Sequence, residues 1–267
     1  MILDEILAST RRDIRERSRR RPLESGPVRQ PRNALRAALS RPGVGLICEI
    51  KKASPSSGPI APALDVAARA REYAEAGARA ISVLTEPHYF SGSLADLETA
   101  GQAVQIPLLR KDFILCEYQV YETALSSAAA LLLIVAALDS STLSRLLTLA
   151  DQLGLDCLVE VHTDRELDVA LECGSTLIGV NNRDLSTLKV DLAVSERLIP
   201  SIRPPRIAVA ESGFSTPGQI ARLADLGASA FLVGGALMTH RSPGQKIAEL
   251  MSLVSRRSQP TGPSSIQ

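Results

Sequence analysis

Leu46-Ile-Cys-Glu-Ile-Lys51 decides how this chain is read. It is a short apolar run with isoleucines and no helical spacing, which reads as a buried strand. Side chains alternate along a strand, so Glu49 and Lys51 share one face and Cys48 and Ile50 the other. If helices cover the outer face, Glu49 and Lys51 point into whatever the sheet encloses. A charged pair placed there is costly unless it is partnered, and that suggests mutual pairing or function.

Runs of the same kind recur at Ala80–Leu84, Ile106–Leu109, Leu131–Val135, Cys157–Val161, Leu177–Val180, Ile207–Ala210 and Ala230–Val233. Between them lie segments with helical periodicity: Asp65–Ala76, Glu117–Ser127, Ser141–Leu153, Arg165–Cys173 and Thr216–Leu226. Gly77, Gly154, Gly174 and Gly227 follow such segments, where a C-terminal cap belongs. Near-continuous apolar strands alternating with amphipathic helices imply a parallel sheet covered by helices. Eight units fit the (β/α)8 TIM barrel of about 250 residues. A doubly wound sheet would want a nucleotide-binding turn, and no GxGxxG or Walker A pattern is present.

The 267 residues are therefore expected to form one barrel domain over 1–255, with N-terminal helices in 1–45 and a flexible tail over 256–267. Ile2, Leu3, Ile6, Leu7 and Ile14 predict an amphipathic helix to about Arg20 with an arginine-rich outer face. Residues 22–33 read as a linker. A short helix is expected from Asn33 to Leu39, stopped by Pro42-Gly43. The most apolar stretch, Ala128–Leu138, is about half of what a membrane helix needs. Asp4 and Glu5 with no apolar stretch beside them argue against a secretory signal.

The net charge of +1 hides an asymmetry. Residues 1–45 hold 11 basic and 5 acidic residues, and the rest hold 19 and 24. No aromatic interleaves the arginines, so a solvated basic helix is preferred over a nucleic-acid arm. Cys48, Cys116, Cys157 and Cys173 form no CxxC pair; Cys48 and Cys157 read as small core residues, and the pattern suits a reducing compartment. His88, His162 and His240 make no metal-binding spacing, so no metal is expected.

In a barrel, chemistry sits at the C-terminal strand ends. Those ends here read Glu49/Lys51, Thr85-Glu86, Arg110-Lys111-Asp112, Glu160, Asn181-Asn182-Arg183-Asp184, Glu211-Ser212-Gly213 and Gly234-Gly235; only the fourth, Ala136-Ala137, is bland. Ser212-Gly213 and Gly234-Gly235 each precede a helical segment, and small residues at a helix start favour a phosphate. Lysines, carboxylates and an amide, without a Ser-His-Asp set, suit acid–base work on a phosphorylated sugar. A Schiff-base lysine also stays open on these residues.

The same residues carry a resemblance. Glu49-Ile-Lys-Lys-Ala-Ser-Pro-Ser56 with Gly58 resembles the first-strand signature of the indole-3-glycerol phosphate synthase family. So do Ser82-Val-Leu-Thr-Glu86 with Tyr89-Phe-Ser-Gly92, Leu109-Arg-Lys-Asp-Phe113 with Tyr118-Gln-Val-Tyr121, Gly179-Val-Asn-Asn-Arg-Asp-Leu185 and Ala210-Glu-Ser-Gly213. The likeness runs from Ile2 to about Leu250. It implies ring closure of 1-(2-carboxyphenylamino)-1-deoxyribulose 5-phosphate, with loss of CO2 and water, in tryptophan biosynthesis, without a cofactor. It implies Lys111 as general acid at the ketone and Glu160 as a charge-stabilising, proton-shuttling carboxylate. Lys51 would meet the substrate carboxylate, Glu49 would accept the proton released on re-aromatisation, and Asn181 would assist. Arg183 would lie near the anthranilate carboxylate, with Ser54 also a substrate contact. Phe113 and Leu132 would form an apolar wall or simply pack the core. Glu211 would be a substrate contact or the structural partner of a lysine. Ser212, Gly213, Gly234 and Gly235 would hold phosphate.

Three departures stand out. Ser57 replaces a frequent basic residue, Gly235 replaces a frequent Ser or Thr, and Ser127-Ala-Ala-Ala130 replaces a Gly-Ala-Asp style turn. The resemblance leaves rivals. Phosphoribosylanthranilate isomerase would be expected to use a Cys and an Asp at the first and sixth strand ends, which here offer Glu49/Lys51 and Asn181. A Schiff-base aldolase and a non-catalytic binding module are further alternatives. The expected partners are a phosphosugar-anthranilate substrate, no nucleic acid and no membrane; the chain is expected to be cytoplasmic and a monomer or weak homo-oligomer.

Overall fold

The structure is a computed structural model that describes residues 2–22 and 34–255. The expected start of the short helix at Asn33, most of the expected linker and the expected tail 256–267 lie outside the described residues. Eight parallel strands close a barrel: β1 Gly45–Ile50, β2 Ala80–Leu84, β3 Leu108–Lys111, β4 Ala130–Ile134, β5 Asp156–Val161, β6 Leu177–Asn181, β7 Ile207–Glu211 and β8 Ala230–Val233. Each pairs with its neighbours in sequence, and β1 pairs with both β2 and β8. The fold is the (β/α)8 TIM barrel that the eight apolar runs predict.

Alternation along the strands makes two cores. Ile47, Leu109, Leu132, Leu158, Leu177, Val209 and Leu232 fill the barrel, whereas Leu46, Cys48, Ile81, Leu131, Val159 and Val180 meet the helices outside. Each core residue removed from water contributes about 1.5–3 kcal/mol, so the outward rows fasten the helices to the sheet. The helices are α1 Ile2–Arg20, α2 Ala34–Leu39, α3 Val66–Glu75, α4 Leu94–Ala103, α5 Glu117–Ala124, α6 Ser140–Gln152, α7 Asp164–Glu172, α8 Ala193–Leu198, α9 Pro217–Asp225, α10 Gly235–Met238 and α11 Pro243–Ser255. The Asp139 side chain caps α6 by accepting from Thr142 N at 2.8 Å, and Leu143, Leu146 and Ala150 form its buried stripe. Gly154 (φ +77) and Gly227 (φ +111) follow α6 and α9 in the left-handed conformation that ends a helix. Cys48 is buried as expected, but Cys157 is only partly covered, and all four cysteines are free thiols.

The differences from the sequence reading have local causes. The third strand starts at Leu108, not Ile106, because Pro107 has no N–H to give the ladder; its carbonyl still accepts from Ile81 N at 3.1 Å. Val135 leaves β4 to start a 3-10 turn over Val135–Ala137. Four helices have no counterpart among the periodic segments quoted above or were seen only in part: α4, which carries Gly101, the short α8 and α10, and α11. α1 has the arginine-rich outer face expected, but it is not an arm standing in solvent. Its Ile6, Leu7 and Ile14 are buried, Asp13 meets His88 at 2.8 Å, and Arg17 meets Glu122 at 3.5 Å.

Arg110 and Asp112 were expected at the mouth with Lys111, and Asp112 does border the cavity there. Arg110 points the other way, because its neighbour Lys111 takes the inward position. It is wholly buried between β3 and α5, where it donates to Asp112 Oδ2 (2.9 Å), Glu122 Oε2 (2.8 Å) and Thr123 Oγ1 (3.0 Å). Asp112 accepts from Thr85 as well, at 2.6 Å. Deleting one member of such a group strands the others without water. Arg110→Leu is expected to destabilise the fold by about 3–5 kcal/mol in urea unfolding; a loss inside the scatter of surface changes, about 0.5 kcal/mol, would contradict this reading.

Candidate active site

The C-terminal mouth of the barrel holds a cavity of about 460 Å³. The fourteen residues to which the resemblance assigns a site role all line it: Glu49, Lys51, Ser54, Lys111, Phe113, Leu132, Glu160, Asn181, Arg183, Glu211, Ser212, Gly213, Gly234 and Gly235. Strand parity brings them together. Glu49, Lys111, Glu160, Asn181 and Glu211 each occupy the last inward position of their strands or nearly so, and Asn181 stands in register with Glu211.

Lys111 is the hub. Its Nζ donates to Glu160 Oε2 at 2.9 Å and to Glu211 Oε2 at 2.7 Å. Both carboxylates are almost fully buried. Burial opposes the ammonium, but Glu160, Glu211 and Glu49 together outweigh it and hold the Lys111 pKa well above the ordinary lysine range. Burial likewise pushes Glu160 up, and Lys111 with the nearby His162 overrides it, so Glu160 stays well below the usual carboxylate range. Glu211 goes the other way. Its burial, with the repulsion of Glu160 and Glu49, exceeds the pull of Lys111 and raises it from 4.5 to about 7. One cation between two carboxylates thus splits them into a permanent anion and a group that takes a proton near neutrality. A second pair lies beside this one: Lys51 Nζ donates to Glu49 Oε1 at 2.6 Å.

Two glycines make room for these carboxylates. A Cβ at Gly179 would collide with Glu211 Oε1, and one at Gly234 with Glu49 Oε1. Gly179 was quoted in a motif without a role, and Gly234 was read only as a phosphate residue. A glycine facing inward beside a strand-end carboxylate is the signal that could have revealed this.

Other predicted residues are fixed by short polar contacts. Asn181 Oδ1 accepts from Arg183 N at 3.0 Å, and the Arg183 guanidinium donates to Leu188 O at 2.8 Å. Ser54 sits in a small hairpin, Ala53–Ser54 with Gly58–Pro59, and its Oγ accepts from Ser57 N at 3.2 Å. Ser212 (φ +67) and Gly213 (φ +93) form a left-handed turn, with Val190 too close to Gly213 to admit a Cβ. Asn182 points away from the cavity and holds this turn, donating to Glu211 O (3.0 Å) and Ser212 O (3.1 Å). Gly235 opens α10, whose first N–H groups have no acceptor within the helix.

Phe113 and Leu132 face an apolar wall completed by residues that the strand-end reading missed. Ile2, Leu3 and Ile6 of α1 reach the cavity, with Leu84 and Phe90; the Phe90 and Phe113 rings are 6.3 Å apart. The spacing of Ile2, Leu3 and Ile6 showed an apolar face, but nothing in it named the surface it would cover. Glu86 is a correction: it does not face the mouth. Its carboxylate accepts the N–H groups of His88, Tyr89 and Phe90 at 2.7–3.0 Å and so builds the loop that places Phe90. Among the described residues no cluster of three or more His, Cys, Asp or Glu could hold a metal ion.

Comparison with known proteins gives a consistent result. The family model for indole-3-glycerol phosphate synthase matches residues 3–250. The chain is 48% identical over 259 residues to an indole-3-glycerol phosphate synthase of Dehalococcoides mccartyi, covering 94% of this chain and all of that one. It is 44% identical to the synthase of Syntrophobacter fumaroxidans, covering 93% of this chain and 96% of that one. It is 45% identical to that of Mycolicibacterium smegmatis, covering 94% of both. Among solved structures, thiamine phosphate pyrophosphorylase from Pyrococcus furiosus shares the fold, with a TM-score of 0.60 at 15% identity, covering 81% of this chain and 98% of that one.

The raised Glu211 pKa has a stability consequence. The carboxyl ionises at 4.5 when unfolded and about 7 when folded, so raising the pH across that window favours the unfolded chain. Glu211→Gln removes this dependence. The melting temperature of the variant minus that of the native protein is expected to rise between pH 5 and pH 8; a difference that stays flat or falls would contradict the assignment.

Proposed function

The chain belongs to the indole-3-glycerol phosphate synthase family, and from that premise we propose how its cavity divides the work of the reaction. The activity is a carboxy-lyase ring closure in tryptophan biosynthesis. The substrate, 1-(2-carboxyphenylamino)-1-deoxyribulose 5-phosphate, joins an aryl ring with a carboxylate to an open-chain ketose phosphate. It loses CO2 and water as the pyrrole ring forms.

Each part of this substrate has a matching surface. The phosphate goes to Ser212, Gly213, Gly234 and Gly235, where a left-handed turn and the start of α10 supply N–H groups. The aryl ring lies against Phe113 and Leu132, under Ile2, Leu3 and Ile6. Its carboxylate meets Lys51 and Arg183, with Ser54 close by, and leaves as CO2 along the apolar wall, which favours a neutral product over an anion.

Lys111 is the general acid. It protonates the ketone oxygen while the aryl carbon attacks, and Glu160 stabilises the charge and shuttles protons beside it. Lys51 helps expel the hydroxyl as water. Glu49 accepts the ring proton, with Asn181 holding the geometry. Glu211 serves as the second partner of Lys111. The contact that carries this reading is the Lys111 ammonium clamped between Glu160 and Glu211 at 2.9 and 2.7 Å. An acid must be loaded before turnover, and two carboxylates keep this one loaded.

The chain acts on this small molecule alone. It binds no nucleic acid, works in the cytoplasm and is a monomer or weak homo-oligomer. Two observations support the first and last of these: α1 packs on the barrel through its apolar face, and among the described residues only Val190, Leu226 and Leu253 are large hydrophobics left exposed. No helix among those residues is long and apolar enough to cross a membrane.

The sequence contains no tryptophan, so the indole product emits over four tyrosines alone. The native chain mixed with substrate is expected to give rising indole fluorescence. In Lys111→Ala the rate should fall by about 10²–10⁴-fold, the usual contribution of a positioned acid. No emission from the native chain, or an undiminished rate in the variant, would overturn the assignment.

A further inference from the structure

His162 lies one residue beyond β5, largely buried, behind Glu160 and off the cavity wall. Its Nε2 is 3.3 Å from Glu160 Oε1, the oxygen that Lys111 does not use, and its Nδ1 is 3.0 Å from Glu166 Oε2. Glu166 is itself held in place. It is the third residue of α7, its N–H bonds to the Thr163 side chain at 3.2 Å, and its carboxylate also accepts His162 N at 2.8 Å. A line of alternating charge therefore runs from the cap of α7 through the imidazole to Glu160, Lys111 and Glu211.

We propose that His162 is a positioning residue for the ring closure: as an imidazolium braced by Glu166, it keeps Glu160 ionised and turned toward Lys111. This rests on the reading of Glu160 as a working carboxylate. The charged groups that act on the ring are Glu160 on its own strand and Glu166 on α7. Although burial disfavours the cation, those two carboxylates raise the imidazole from 6.5 to about 10. It is charged throughout the physiological range, so it works as a fixed cation and not as a proton carrier.

Four variants test this in the full chain: His162→Gln, Glu160→Gln, the double variant of those two, and Glu166→Gln. In His162→Gln, kcat should fall about tenfold or more, the scale on which losing an outer partner of a working ligand is felt. KM should hold, and the acid limb of the kcat profile should move to higher pH as Glu160 loses its neighbouring cation. Because His162 acts through Glu160, the double variant should be no slower than Glu160→Gln alone. Glu166→Gln, which lies on a helix outside the cavity, removes one anion from the imidazolium and should move the basic limb to lower pH. That arm stands even if His162→Gln does not fold. If Glu160→Gln turns over normally, the reading of Glu160 fails and this one with it. If Glu160→Gln is slow but His162→Gln and Glu166→Gln keep the native rate and profile, or the two losses multiply, only the role of His162 is overturned.

Discussion

Everything at the mouth of this barrel depends on one buried ammonium. Lys111 can lie among inward side chains because carboxylates on two other strands meet it, Glu160 from β5 and Glu211 from β7. Neither carboxylate would be stable there without it. Three strands far apart in sequence are thus tied at one atom, and the price of burying three charges is met only when the barrel closes in the observed register. The same closure explains why Gly179 and Gly234 face inward. Each leaves the space that a carboxylate of the next strand occupies.

From this constraint the rest of the site follows. A lysine held between anions rests as the ammonium; a proton given up in turnover would have to return to it, and Glu160 and Glu211 are the groups in contact with it. Unequal surroundings separate the two carboxylates: Glu160 has a second cation behind it, and Glu211 does not. Across the cavity, the Lys51–Glu49 pair supplies a further cation and carboxylate, and α1 closes the apolar side. α1 is tied in turn to the outer layer through Arg17, Glu122 and the buried Arg110, the residue next to Lys111 on β3. The roof of the cavity and the strand that carries the acid therefore share one polar network outside the barrel.

The strands and the inward charges were legible because period-two alternation fixes which side chains share a face. Glu49 reads as inward from that rule; Lys111, Glu160, Asn181 and Glu211 read from sequence as strand ends, and the same alternation accounts for their facing the cavity. The rule also shows why Arg110 was misplaced: a polar strand end is not an inward one, and its parity is opposite to that of Lys111. Glu86 and Asn182 shape loops through backbone groups, and sequence spacing does not distinguish a loop anchor from a residue that faces a substrate. Gly179, Gly234 and His162 carry meaning only through a neighbour on another strand or helix. The structure caps α7 with Thr163, whose side chain accepts from Glu166 N, and nothing local in the sequence ties that cap to Glu160. The apolar face of α1 was visible, but its seat over the cavity depends on three-dimensional closure.

The charge state of Lys111 is the most direct test of this account. With lysine labelled by nitrogen-15 at Nζ, the resonances of Lys51, Lys52, Lys111, Lys189 and Lys246 can be assigned by single substitutions and followed as the pH is raised. The Lys111 signal is expected to remain that of an ammonium at pH values above the reference lysine value of about 10.4. A Lys111 that loses its proton at or below that value would contradict the claim that Glu160 and Glu211 hold it charged.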